Sequence, residues 1–152
     1  MKRRIYISIM LLIISIFMVG CGYKDISVNK EGKKLIKMTD ETKYEKGDDK
    51  SLKKYFGLNP DDYAEVCIYV PSSSMEASEL LIIKVKDQSQ VDTIETAIDS
   101  RIQKQSDGFK DYAPEQYGLL QNYEISTRGN YVFYVVGKDA YDMKKEFKKS
   151  IS

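Results

Sequence analysis

Leu80-Leu81-Ile82-Ile83-Lys84-Val85-Lys86 and Tyr131-Val132-Phe133-Tyr134-Val135-Val136 decide the fold. Both runs are rich in aliphatic, β-branched or aromatic residues and read as strands. Each has a second strand pattern before it. Glu65 to Val70 alternates, with Val66, Ile68 and Val70 on one face and Cys67 and Tyr69 on the other. Tyr123 to Thr127 leads through Arg128-Gly129-Asn130, a turn in which glycine supplies the positive φ of a tight hairpin. Pro71 and the serines around Ser72 make the first connection longer. The two deciding runs are apolar on both faces, whereas a sheet with one wet face should alternate. Helices covering both faces are the expectation; a partner closing one face is the alternative.

Working outward, Ser51 to Gly57 reads as a short helix with a serine cap and a terminal glycine. Val91, Ile94, Ile98 and Ile102 form the clearest helical stripe, with Asp87 or Ser89 as its cap and Gly108 ending or bending it. Pro114 opens a second short helix through Tyr117 and Leu120. Asp139 caps a last helix whose stripe is Ala140, Met143, Phe147 and Ile151. The order αββααββα predicts one α+β domain over 51–152: a four-stranded antiparallel sheet from two β-hairpins, each followed by helix. Residues 21–50 alternate densely in charge and read as a flexible N-terminal tether, in which only Leu35, Ile36 and Met38 offer anything to dock.

The chain opens with Lys2, Arg3 and Arg4, then runs uncharged from Ile5 to Val19 and reaches Val19-Gly20-Cys21. A basic start, a short apolar run and small residues before the cut describe a secretory signal over 1–20. Cysteine directly after Val-Gly resembles the lipobox of bacterial lipoproteins, although Met18 stands where leucine is preferred. That resemblance implies diacylation (palmitate-type lipid) at Cys21, and two acyl chains anchor stably. The expected location is the extracytoplasmic face of the cell membrane of a Gram-positive bacterium, the membrane being reached through the lipid on Cys21. Removing Lys2, Arg3 and Arg4 from the 24 cations leaves 21 against 23 acids, a balance that offers nothing to nucleic acid. With Cys21 lipidated, Cys67 is the single remaining thiol, in an apolar strand that suits a buried small hydrophobe.

Histidine is absent, which removes the commonest general base and metal ligand. One free thiol makes no thiolate metal site, and no phosphate loop or nucleophile signature occurs. No cofactor is expected, and the chain is read as no enzyme; carboxylate chemistry is the weaker alternative, to which acidic pairs such as Asp48-Asp49 and Asp61-Asp62 contribute. Binding has more to stand on. Arg101 lies at the edge of the apolar stripe, and Gln105 follows one turn later on the same side. Arg101 either pairs with a carboxylate such as Glu76 or Glu79 while its stem lines the core, or joins Gln105 in a cleft that receives an anionic or carbonyl group. Twelve tyrosines against five phenylalanines supply amphipathic contact area, Tyr112 among them.

Several separated segments look familiar together: Tyr55-Phe56-Gly57-Leu58-Asn59-Pro60 leading to Asp62-Tyr63; Tyr69-Val70-Pro71-Ser72 with Met75-Glu76-Ala77 and Glu79 to Lys84. Arg101, Gln105, Phe109, Tyr112 and Gln116, then Gly129-Asn130-Tyr131-Val132, complete the set. From about Ser51 to Phe147 the chain resembles the lipoproteins catalogued as Domain of Unknown Function 4358. The resemblance implies a small exported domain and no activity. Arg101, Gln105, Tyr112 and Gln116 are the candidate ligand- or partner-binding residues. The functional expectation is a non-catalytic module binding an envelope protein or cell-surface polymer, with a small-ligand pocket near Arg101 as the rival.

Overall fold

Strands Glu79–Lys84 (β3) and Tyr131–Val136 (β5) pair antiparallel along their whole length, Leu81 opposite Tyr134 and Ile82 opposite Phe133. These are the two runs apolar on both faces, and they occupy the middle of the sheet. A computed structural model describes residues 22–152; the expected signal and the expected lipid attachment at Cys21 lie outside the described residues. The sheet is antiparallel throughout and is completed by Tyr44–Lys46 (β1), Glu65–Pro71 (β2) and Glu124–Arg128 (β4), in the order β1-β2-β3-β5-β4. The second hairpin therefore joins the first through β5, leaving the more polar β4 at an edge. Burial explains that choice: every residue of β5 is buried, whereas the last two of β4 are exposed.

Five helices lie among the described residues: Val28–Ile36 (α1), Asp49–Phe56 (α2), Val91–Phe109 (α3), Pro114–Gln121 (α4) and Ala140–Ser150 (α5). On one face of the sheet, Leu81, Ile83, Val132, Tyr134 and Val136 pack with Leu52 and Phe56 of α2, Ile94 and Ile98 of α3 and Leu120 of α4. On the other, Cys67, Leu80, Ile82, Phe133 and Val135 pack with Val28, Leu35 and Ile36 of α1 and with Met143 and Phe147 of α5. Helices thus cover both faces.

Two expectations are corrected. The sheet has five strands, not four, because Tyr44–Lys46 pairs with Tyr69–Pro71. Residues 28–46, expected within the flexible tether, are part of the folded domain. Lys30, Lys33, Lys34 and Lys37 are exposed, while Val28, Leu35 and Ile36 are at most 5 % exposed, so the dense charge is one face of an amphipathic helix. Gly32 lets α1 come close to β2: a Cβ there would stand 2.3 Å from Cys67 Sγ.

Helix ends differ in detail. α2 starts before Ser51: Asp48 is its N-cap, accepting from the Ser51 N–H at 2.9 Å while Ser51 Oγ accepts from the Asp48 N–H. Its end is Gly57 at φ 68°, the left-handed conformation expected of a terminal glycine. Asp87 caps the turn that opens α3, and α3 runs past Gly108 to Phe109. Asp139 begins α5 without capping it; its carboxylate accepts from Thr39 Oγ1 at 2.7 Å and ties the end of α1 to the start of α5.

Candidate functional site

Glu79 opens β3 pointing into the α2–α3–α4 layer, 1 % exposed. A carboxylate there needs partners, since an unpaired buried charge costs several kcal/mol (order of magnitude). Arg101 supplies them from α3: its Nε and Nη2 donate to Glu79 Oε2 at 3.1 and 2.9 Å. Tyr134, from the same face of β5, donates its hydroxyl to Glu79 Oε1 at 2.7 Å. With its amide set by its neighbours, Gln105 donates to Glu79 Oε1 and accepts from Arg101 Nη2, both at 2.9 Å. The Tyr55 ring of α2 covers the guanidinium at 4.7 Å. Burial pushes the Glu79 carboxyl up, and the Arg101 guanidinium and the Tyr134 hydroxyl pull it back. Burial, with the Glu79 charge, pushes the Tyr134 hydroxyl well above its ordinary value.

Of the four residues singled out in the sequence, Arg101 and Gln105 are brought together. Gln116 acts beside them: its Oε1 accepts from the Ala77 N–H at 2.9 Å and holds the loop before β3 to α4. Tyr112 stands apart, 58 % exposed, its ring tilted against Phe109 at 5.8 Å. Four of the clefts on the described surface are lined by none of these four residues. Glu76 is buried in the same loop and receives Lys43 Nζ at 2.7 Å.

A second constellation was hidden by the tether reading. Between α1 and β1 lies a cleft of about 500 Å³, lined by Asn29, Lys33, Lys37, Lys46 and Tyr69, with Glu41 its only acid. Lys46 is held in place: its Nζ donates to Asn29 Oδ1 at 3.0 Å and to Cys67 Sγ at 3.2 Å, and lies 4.7 Å above the Tyr69 ring. Burial pushes the Cys67 thiol up, against the pull of Lys46, so the thiol stays protonated and poorly nucleophilic. The spacing of Lys30, Lys33, Lys34 and Lys37 was the available signal, since intervals of three and four place them along one side of a helix.

Folding also sorts charge that is balanced in the sequence. Segments 22–43 and 138–152, which contain α1 and α5, hold eleven lysines against seven acids. The intervening 44–137 holds ten cations against sixteen acids. The α1–α5 side is therefore net basic and the remainder net acidic. Among the described residues, no group of three His, Cys, Asp or Glu is placed to hold a metal ion.

No curated protein and no solved structure matches the chain. A family described as "Domain of unknown function (DUF4358)" matches residues 37–137, a span that covers the sheet and the α2–α3–α4 layer but stops short of both α1 and α5. With two thirds of its length matched, the chain belongs to the DUF4358 family.

Proposed function

We propose that this chain is an extracytoplasmic lipoprotein, anchored through lipid on Cys21, whose domain is a non-catalytic binding module for an anionic cell-surface polymer. The observation that carries the reading is the cleft between α1 and β1, where Lys33, Lys37 and Lys46 converge around Tyr69 with a single opposing acid. Lys33 and Lys37 from the basic α1–α5 side, joined by Lys46 of β1, suit phosphate or carboxylate groups repeated along a chain, and Tyr69 and Ile36 offer apolar contact to its carbon skeleton. Arg101, by contrast, already has its charge met by Glu79.

The test uses residues 22–152 with poly(glycerol phosphate), a neutral glucan serving as control. Binding should weaken with added salt, as contacts between exposed charges do. Replacing Lys33 and Lys37 by Gln should weaken it by about tenfold, equivalent to about 1.4 kcal/mol. Equal affinity for the neutral glucan, or no response to the lysine changes, would refute the proposal. Binding lost in Arg101→Lys but kept in the lysine variant would move the site to Arg101.

A further inference from the structure

Residues 22–26, expected in the tether, are laid against the domain. The Lys24 N–H donates to the Ile151 carbonyl at the end of α5, 3.0 Å away. The Ile26 N–H donates to Tyr131 Oη at 2.9 Å, and the same hydroxyl lies 3.2 Å from Asp25 Oδ1. Asp25 in turn pairs with Lys84 at the end of β3. The Tyr23 ring covers Gly129, where a Cβ would stand 2.3 Å from it; that glycine has φ 52°. Both properties of Gly129, its backbone angle and its missing side chain, are used at once.

We propose that, once lipidated, the domain does not swing on a leash but stands on the bilayer, with the β4–β5 turn and the end of α5 against the headgroups. This rests on the anchor reading given above. Only three peptide steps separate Cys21 from Lys24, and a chain spans at most about 3.6 Å per residue, so the lipidated residue stays within roughly 11 Å of the docked one. The occupant of this end is thus the lipid surface itself. Tyr23, 47 % exposed beside the anchor, has the amphipathic ring that favours the headgroup level. The loop carrying Met75 faces away, since the six residues of β3 set it roughly 17 Å of strand from that end.

The full chain, produced in a host that lipidates it and reconstituted in phosphatidylglycerol–phosphatidylcholine vesicles, tests this. A donor dye is placed through Ser152→Cys or Met75→Cys, Cys67 being fully buried and unlabelled. An acceptor sits on the lipid headgroups. Ser152 should transfer energy several-fold more efficiently than Met75. A flexible Gly-Ser insertion after Gly22 should remove the difference, and Tyr131→Phe should shrink it. Incorporation of labelled palmitate, absent in Cys21→Ala, reports the anchor separately. Lipidated protein with equal transfer from both positions overturns the orientation alone; a wild type that takes up no palmitate overturns the anchor and the orientation with it.

Discussion

Arg101 Nη2 stands 2.9 Å from Glu79 Oε2, with both side chains at most 9 % exposed, so α3 and the first residue of the central strand are joined by a buried ion pair. Removing one partner leaves the other charged and dry. Arg101→Ala should therefore cost about 3–5 kcal/mol, read by denaturant unfolding. Replacing both residues by Met should return most of that loss, because the desolvation of two ions disappears along with their attraction. An Arg101→Ala protein within about 1 kcal/mol of wild type would mean that Glu79 is not held by this pair.

Leu35 is fully buried against the sheet face that α1 and α5 cover. Leu35→Ala should destabilise by about 2–5 kcal/mol, whereas a residue in a tether would cost nothing measurable. Residues 51–152 expressed alone should melt well below residues 22–152 and bind a hydrophobic dye, since loss of α1 and β1 uncovers Leu80, Ile82 and Phe133. Equal melting of the two lengths would restore the tether reading.

Gly32→Ala reverses an ordinary sign. In a helix interior Ala is favoured over Gly by about 1 kcal/mol, but here the new Cβ meets Cys67 Sγ at 2.3 Å. The single change should destabilise by about 1–3 kcal/mol. In a Cys67→Ala background the sulfur is gone, and Gly32→Ala should become neutral or stabilising. A double-mutant cycle measures that coupling, and additive effects would rule out the contact.

Glu65 gives a pH test. Burial alone would push its carboxyl up, but it accepts from Ser27 Oγ at 2.7 Å and from the N–H groups of Asn29 and Val28, which hold it below its ordinary value of 4.5. It serves as an extra cap at the start of α1, where the helix dipole favours negative charge. Because the folded value is lowered, its stabilisation is complete above 4.5 and is lost as pH falls through and below it. Glu65→Gln should be less stable at neutral pH and should flatten the acid limb of the stability profile. An unchanged acid limb would remove Glu65 from the account.

Much of the fold was legible. The double-sided apolar runs 80–83 and 131–136 indicated a sheet covered on both faces, and the intervals among Ile94, Ile98 and Ile102 gave α3. β1 was not legible, because Tyr44-Glu45-Lys46 buries only Tyr44 and is a strand chiefly through its pairing with β2. α1 was missed because its three deeply buried aliphatics are outnumbered by charges that read as solvated spacer. At the site, the sequence offered Glu76 and Glu79 equally to Arg101. The structure assigns Glu79 to it and gives Glu76 to Lys43.

By itself, the sequence determined the local preferences: the apolar runs that must be buried, the residues that start and stop helices, the absence of histidine, and the near balance of charge along the chain. These depend on residue type and near neighbours, so periodicity carries them. Only the tertiary structure decided that β5 rather than β4 lies beside β3, that Asp25 and Ile26 meet Tyr131, and that lysines from α1 and β1 share a cleft. Those outcomes depend on which distant surfaces exclude water from one another, and no spacing along the chain encodes that.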